Sequence, residues 1–265
     1  TFYIGDYVNW HDTLMGEKGK LDLDFWVLKY NEARAKKQFS VAKQMIHCFE
    51  YWLGPYPFYE DGYKLVEAPY LGMEHQSAVA YGNGYKMGYL GFDRTMTGIG
   101  MNFDYIIVHE SAHEWYGNSI TAKDIADMWV QEGITTYSES LYAECLLGKE
   151  KGQKYCRGEW VNVMNLKPII GKYGINNEGS PDMYDKGAAI MHMIRIMTND
   201  DDKFRNMLRG LSREYYHQTV TTQQVEDYIA TNTGLNLAAF FDQYLRTTDI
   251  PQLEYYIKDN EFNYK

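Results

Sequence analysis

The spacing of apolar and polar positions along this chain changes period several times. Over residues 1–33, Leu21, Leu23, Phe25 and Val27 alternate with Asp22, Asp24 and Trp26. That two-residue period predicts a half-buried strand, with Asp6, Gly16 and Gly19 marking turns between extended pieces. From about residue 34 to 53 the period becomes helical. Phe39, Ala42, Ile46, Phe49 and Leu53 share one face, Lys36, Lys43 and Glu50 lie off it, and Gly54-Pro55 ends it. Residues 64–67 and 78–81 read as short strands on either side of Pro69-Tyr70-Leu71-Gly72-Met73-Glu74-His75-Gln76. Gly82, Gly84, Gly88 and Gly91, interleaved with tyrosines, mark a loop-rich return.

The second half is mostly helical. Phe103, Tyr105, Ile106, Ile107 and Val108 predict a buried helix with Gly117-Asn118 as its stop, and a second helix spans about 127–147. Further stripes hold Ala189, Ile190, Ile194 and Met197, then Phe204, Leu208, Leu211 and Tyr215 behind three aspartates at 200–202. Thr221-Thr222-Gln223-Gln224 resembles a capping box, with Gly234 closing its helix. A short helix with Leu237, Phe240, Phe241 and Leu245 and a strand over 251–257 complete the chain. The pattern predicts an α+β fold with a sheet-containing N-terminal lobe and a mostly helical C-terminal lobe. The expected divisions are 1–95, a mixed strand and helix lobe; 96–247, a helical lobe; and 248–265, the start of a strand-rich segment.

Composition narrows the function. A net charge of −10 over 265 residues argues against a general nucleic-acid binder, whose phosphate contacts need a basic face. Hydrophobic residues at 45% suffice for a large core, and no apolar run reaches the length of a membrane span. Three cysteines without a C-x-x-C predict buried free thiols, with Cys145–Cys156 as the pair an oxidising compartment would allow. The chain begins at Thr1 and reads as a piece of a longer polypeptide with flanking domains, so its compartment is left open.

The candidate chemistry lies in His109-Glu110-Ser111-Ala112-His113. On a helix, residues four apart share a face, so His109 and His113 aim two imidazoles at one point. A catalytic zinc needs three protein ligands and one open position, and Glu132 is the expected third ligand. Glu110, beside the first histidine, is placed to act as general base. A hydrogen-bond donor for the oxyanion is also expected, but composition selects none of the 25 tyrosines.

Three blocks resemble the aminopeptidase N family of gluzincin zinc aminopeptidases. Residues 109–118 are similar to its H-E-x-x-H-x-W-x-G-N. Trp129-Val130-Gln131-Glu132-Gly133 is similar to its W-L-N-E-G, and Gly72-Met73-Glu74-His75 to its exopeptidase motif G-x-M-E-N. The resemblance implies a thermolysin-like zincin catalytic domain with one Zn(2+) per chain, held by His109, His113 and Glu132. It implies Glu110 as base and Glu74, with Gly72 and Met73, as binder of the free amino group of a peptide substrate. Met183-Tyr184-Asp185-Lys186-Gly187 is similar to the family's Y-x-K-G block, which implies Tyr184 as oxyanion donor. His75 stands where the motif has asparagine; an imidazole donating to the peptide backbone there is expected to alter subsite preference. The alternatives are a zinc endopeptidase, an epoxide-hydrolysing relative and a non-catalytic peptide-binding module.

Overall fold

The computed structural model describes residues 2–264. Strands β1 (Tyr7–Gly16) and β2 (Gly19–Leu28) form a hairpin around Glu17-Lys18. Helices α1 (Glu32–Phe39) and α2 (Ala42–Leu53) follow, then β3 (Tyr63–Glu67), β4 (Gly72–Met73) and β5 (Val79–Tyr81). The five strands make one sheet in the order β1-β2-β3-β5-β4. β3 runs parallel to β2 and β5, and β4 closes the edge antiparallel to β5. The alternation in β2 does what its pattern predicts: Leu21, Leu23, Phe25 and Val27 are buried while Trp26 is exposed.

The remaining elements are α3 (Tyr105–Ala112), β6 (Ile120–Ala122), α4 (Trp129–Leu147), α5 (Lys149–Glu159), α6 (Asp185–Thr198) and α7 (Asp201–Glu214). After them come β7 (Gln218–Val220), α8 (Thr222–Thr233), α9 (Ala238–Phe241), which runs on as a π turn over Asp242–Arg246, β8 (Tyr255–Lys258) and β9 (Glu261–Tyr264). The capping box at Thr221 forms with Gln224, and Gly234 ends α8 in the left-handed region. Among the described residues, no helix is long and apolar enough to cross a membrane.

Some elements differ from the pattern. The single helix expected over 34–53 is two, because the chain turns at Ser40, whose hydroxyl donates to the Lys37 carbonyl at 2.8 Å. β6 and β7 pair in parallel over three residues each, too short for a period to register. The C-terminal strand has a hairpin partner in β9.

The cysteine expectation is corrected. Cys48 on α2 is bonded to Cys145 on α4, 97 positions apart, and Cys156 is the free thiol. α5 starts afresh after Gly148, and its Cys156 lies against the Ala188 carbonyl of α6, away from Cys145. Reduction, or the double change C48A/C145A, is expected to lower stability by about 2–4 kcal/mol. Urea melts with and without reductant check this, and coincident midpoints would show that the bond is absent or adds nothing.

Two glycines join the helices that matter most. A Cβ on Gly187 of α6 would stand 2.6 Å from the Gly133 Cα of α4. The two backbones therefore touch, which draws Glu132 and Tyr184, each near its glycine, to one place.

Candidate metal centre and active site

α3 starts at Asp104, whose carboxylate accepts the N–H groups of Ile106 and Ile107. The helix ends at Ala112 with His113 as its C-cap residue, earlier than the Gly117 stop suggests. The turn from His109 to His113 survives, and both imidazoles are buried, as is Glu132 on α4.

The three side chains converge. The Nε2 atoms of His109 and His113 are 3.3 Å apart. Glu132 Oε2 lies 3.5 Å from the first and 3.3 Å from the second. Four ligands placed tetrahedrally at about 2.1 Å from one centre are separated by about 3.4 Å, so this triangle has the size of one face of a zinc site.

The protons make the same case. His109 Nδ1 is 2.7 Å from a Glu139 carboxylate oxygen, and His113 Nδ1 is 2.8 Å from the Tyr116 carbonyl. Both partners accept, so each Nδ1 carries the hydrogen, and in the neutral ring each Nε2 presents a lone pair. Glu132 Oε2 is buried and accepts no hydrogen bond. Two lone pairs and a carboxylate oxygen, facing one another away from water, call for a cation between them. The residues fit a zinc ion.

Electrostatics agree. Burial opposes protonation of His109 and His113, yet Glu132, together with Glu139 at His109, outweighs it and raises both imidazoles above their ordinary range. Burial likewise opposes ionisation of Glu132, but the two rings hold it well below the carboxylate range. The pocket favours positive charge, from protons or from a metal.

The other expected residues stand around this triangle. Glu110 is buried, and burial raises its carboxyl above the usual value. The Glu74 carboxylate lies within 4.8 Å of ligand atoms of both Glu110 and His113. The Tyr184 ring lies 6.1 Å from that of His109, inclined to it by 28°. Burial, then the carboxylates of Glu132, Glu178, Glu74 and Glu110, raise the phenol far above its ordinary range, so it stays protonated and able to donate. Met73 is exposed on β4. His75 is already engaged: the Tyr3 hydroxyl donates to the Ala78 carbonyl at 2.8 Å, leaving its oxygen to accept from His75 Nδ1 at 2.7 Å. The imidazole braces its own loop through that nitrogen.

Gly72 shows why β4 carries glycine there. A Cβ would come within 2.6 Å of Glu110 Oε1 and 2.7 Å of Ile106 Cγ2. Gly72→Ala is expected to push the Glu110 carboxylate aside and lower kcat by about 10²-fold, the order of loss from a misplacement near 1 Å, with bound metal unchanged. Steady-state kinetics beside metal analysis check this; unchanged kcat would show that β4 does not press on Glu110.

Sequence reasoning missed several groups. Glu139 lies seven residues beyond Glu132 on the same face of α4, a spacing that could have flagged it. It accepts from His109 Nδ1 and from the Tyr155 hydroxyl, fixing the ring and its tautomer. Thr135 lies 3.2 Å from both His113 Nδ1 and the Tyr116 carbonyl. Glu114 and Asn118 also lie beneath the site; burial pushes the Glu114 carboxyl up to about 8. A cavity of about 620 Å³ opens onto His109, Glu110 and Tyr184, lined otherwise by apolar groups such as Leu71, Phe92 and Ile106, with Arg94 among them. Glu74 stands outside it.

Comparison with known proteins gives consistent matches. The Peptidase family M1 domain matches residues 38–244. A leukotriene A-4 hydrolase of Xenopus laevis is 23% identical over 207 residues, covering 72% of this chain and 32% of that protein. The endoplasmic reticulum aminopeptidase 1 of Mus musculus is 27% identical over 124 residues, 43% of this chain and 13% of that one. An M1 zinc metallopeptidase from Deinococcus radiodurans superposes with a TM-score of 0.75 at 20% identity, covering 94% of this chain and 53% of the other. The chain thus spans a third or less of these two curated relatives. The structural likeness speaks for the fold: an α+β arrangement with its sheet first and its helices after.

Proposed function

This chain belongs to peptidase family M1, and we propose that it is the catalytic part of a zinc aminopeptidase that removes the N-terminal residue from peptides. The observation that carries this reading is the place of Glu74, a carboxylate beside Glu110 and His113 but outside the metal triangle. A carboxylate so placed pairs with the terminal ammonium of a peptide and fixes which bond reaches the metal. On this reading residues 1–95 supply the amine site and residues 96–247 the ligands, base and donor. Flanking regions of a longer chain would complete the cleft.

One zinc per chain, held by His109, His113 and Glu132, would supply Lewis-acid chemistry, making water acidic and a carbonyl electrophilic. Glu110 takes the proton of the attacking water and passes it to the departing amine as the C–N bond breaks. Its burial raises the carboxyl above its ordinary range, which makes it a stronger base than a solvated carboxylate. Tyr184, kept protonated by the acids around it, donates to the oxyanion that forms on the carbonyl oxygen. The residue before the scissile bond lies toward Glu74. The residue after it enters the cavity beside Leu71 and Ile106, where apolar side chains gain by leaving water. The free edge of β4 is open to a peptide backbone, as in strand addition.

Glu74→Ala separates this from the endopeptidase reading. Its kcat/KM on aminoacyl-nitroanilides is expected to fall by about 10²–10³-fold, the loss of a charge-assisted pair of roughly 3–4 kcal/mol. Turnover of acetylated peptides, expected to be poor in the parent protein, should not change. Equal loss on both substrates, or none on either, would contradict the amine-binding role.

A further inference from the structure

Glu114 follows the second histidine, is fully buried, and lies outside both clusters of metal-capable side chains found among the described residues. A buried carboxylate costs several kcal/mol unless its oxygens are engaged. Here they are. Oε1 accepts the backbone N–H of Ser77 at 2.8 Å, and Oε2 accepts the hydroxyl of the buried Tyr56 at 3.1 Å. Four residues on, the Asn118 amide donates to the backbone carbonyl of Glu74 at 2.8 Å.

The segment so held is the one that carries Glu74. Ser77 has a φ of +53°, a left-handed conformation that costs a non-glycine residue about 1–3 kcal/mol and persists only where its surroundings enforce it. The Ala78 N–H closes the turn on the His75 carbonyl at 2.9 Å. The Glu114 bond to Ser77 N–H holds the far end of this turn, and the Asn118 amide holds the near end at Glu74. Both contacts belong to groups rooted in the stretch that includes His113.

We propose that Glu114 is a positioning residue for the amine-binding carboxylate: through Ser77, and alongside the separate Asn118 bond to Glu74, it ties the 74–78 turn to the metal-binding stretch and sets where Glu74 stands. This rests on the aminopeptidase reading for its consequence, though not for the anchoring itself. The role asks for an acceptor facing Ser77 N–H, not for a negative charge. Glutamine supplies that acceptor, and the Tyr56 hydroxyl can turn to accept from the new amide. Leucine supplies none; it leaves the buried Ser77 N–H unpaired and the Tyr56 hydroxyl with only the Gly62 carbonyl, 3.5 Å away.

The test uses the full-length, zinc-loaded protein with E114Q and E114L. For E114L, the KM for free-amino substrates is expected to rise about 10- to 100-fold, the scale of losing a supporting hydrogen bond around a site. Its kcat and zinc content should stay close to the parent values. E114Q is expected to keep KM within about twofold, because its amide oxygen keeps the acceptor that the Ser77 N–H needs. Amide hydrogen exchange over residues 74–78, which needs no turnover, should quicken in E114L and not in E114Q. An unchanged KM in E114L, a loss confined to kcat or zinc, or an E114Q as impaired as E114L would overturn the proposal. So would unchanged exchange. If E114L does not fold, Asn118→Ala removes the second tie from outside the core; it should raise KM by a similar factor, and an unchanged KM there is equally contrary. A parent protein that turns over no free-amino substrate, with exchange behaving as described, would instead sink the aminopeptidase reading and leave the anchoring in place.

Discussion

Replacing Glu110 by glutamine is expected to lower kcat by about 10²–10⁴-fold, the usual contribution of a positioned general base, while zinc content and KM stay near the parent values. The amide keeps the shape and volume of the side chain but cannot take a proton from water. Glu110 also lies outside the triangle of His109, His113 and Glu132, so its change should not release the metal. The acid limb of the pH profile should weaken too, because burial holds this carboxyl above the ordinary range and its protonation removes the base as pH falls. Kinetics over about pH 5–8, around the ordinary histidine and carboxyl values, with parallel metal analysis, separate the outcomes. A Glu110→Gln protein with full activity would remove the base from the account, and one without zinc would make Glu110 a ligand.

The second large effect concerns the metal itself. Glu132→Ala takes away one ligand and leaves two histidines, and zinc-dependent stabilisation should then disappear. In the parent protein that stabilisation is about 4 kcal/mol when free zinc exceeds its Kd a thousandfold. Its pH dependence has a definite sign. In the metal-free fold, His109 and His113 have raised values. Their contribution is complete below the unfolded value of about 6.5 and fades as pH rises through the higher folded values. Glu132 is lowered, so its contribution is present above about 4.5 and lost only in acid, as pH falls through its folded value. Zinc needs each Nε2 free and must displace the protons held there. Affinity should therefore weaken as pH falls, by about tenfold per pH unit for each proton displaced. Metal-free protein loses stability above neutral pH while the zinc-induced gain in Tm grows. Thermal melts at several pH values, with and without zinc, read both trends; a gain that is flat with pH would contradict protonated imidazoles in the metal-free site.

Much of the site was legible in sequence because its chemistry is local. His109 and His113 are one turn apart, and any helix there brings them together. Glu132 was reached as the downstream carboxylate that completes the ligand count, and Tyr184 only by resemblance to a short block, since no periodicity carries the contact that places them. That contact is Gly133 against Gly187, a long-range fit between two helices that looks like two ordinary glycines in the chain. The supporting groups were hidden for a related reason. α4 is buried from Trp129 to Ala143, including Glu132, Thr135 and Glu139, so the usual equation of polar residues with solvent fails along its length. Nothing in the local pattern marks Glu139 and Glu114 as buried; only the folded chain surrounds them.

The fold shows the same division. β2 announced itself by alternation, and α8 by its capping box. β4, two residues long, was read only as part of an exopeptidase motif, yet its place at the sheet edge sets Gly72 against Glu110. The cysteines misled because pairing depends on helix packing. Neighbours in sequence, Cys145 and Cys156, sit on different helices, while Cys48 reaches Cys145 across the interface of α2 and α4.

The central expectation is one cation shared by His109, His113 and Glu132. Crystals of the zinc-loaded protein, with anomalous differences collected on both sides of the zinc absorption edge, test it most directly. One peak per chain within about 2.0–2.2 Å of both Nε2 atoms and the Glu132 carboxylate is the expected result. No peak there, or zinc bound elsewhere while this triangle stays empty, would contradict it.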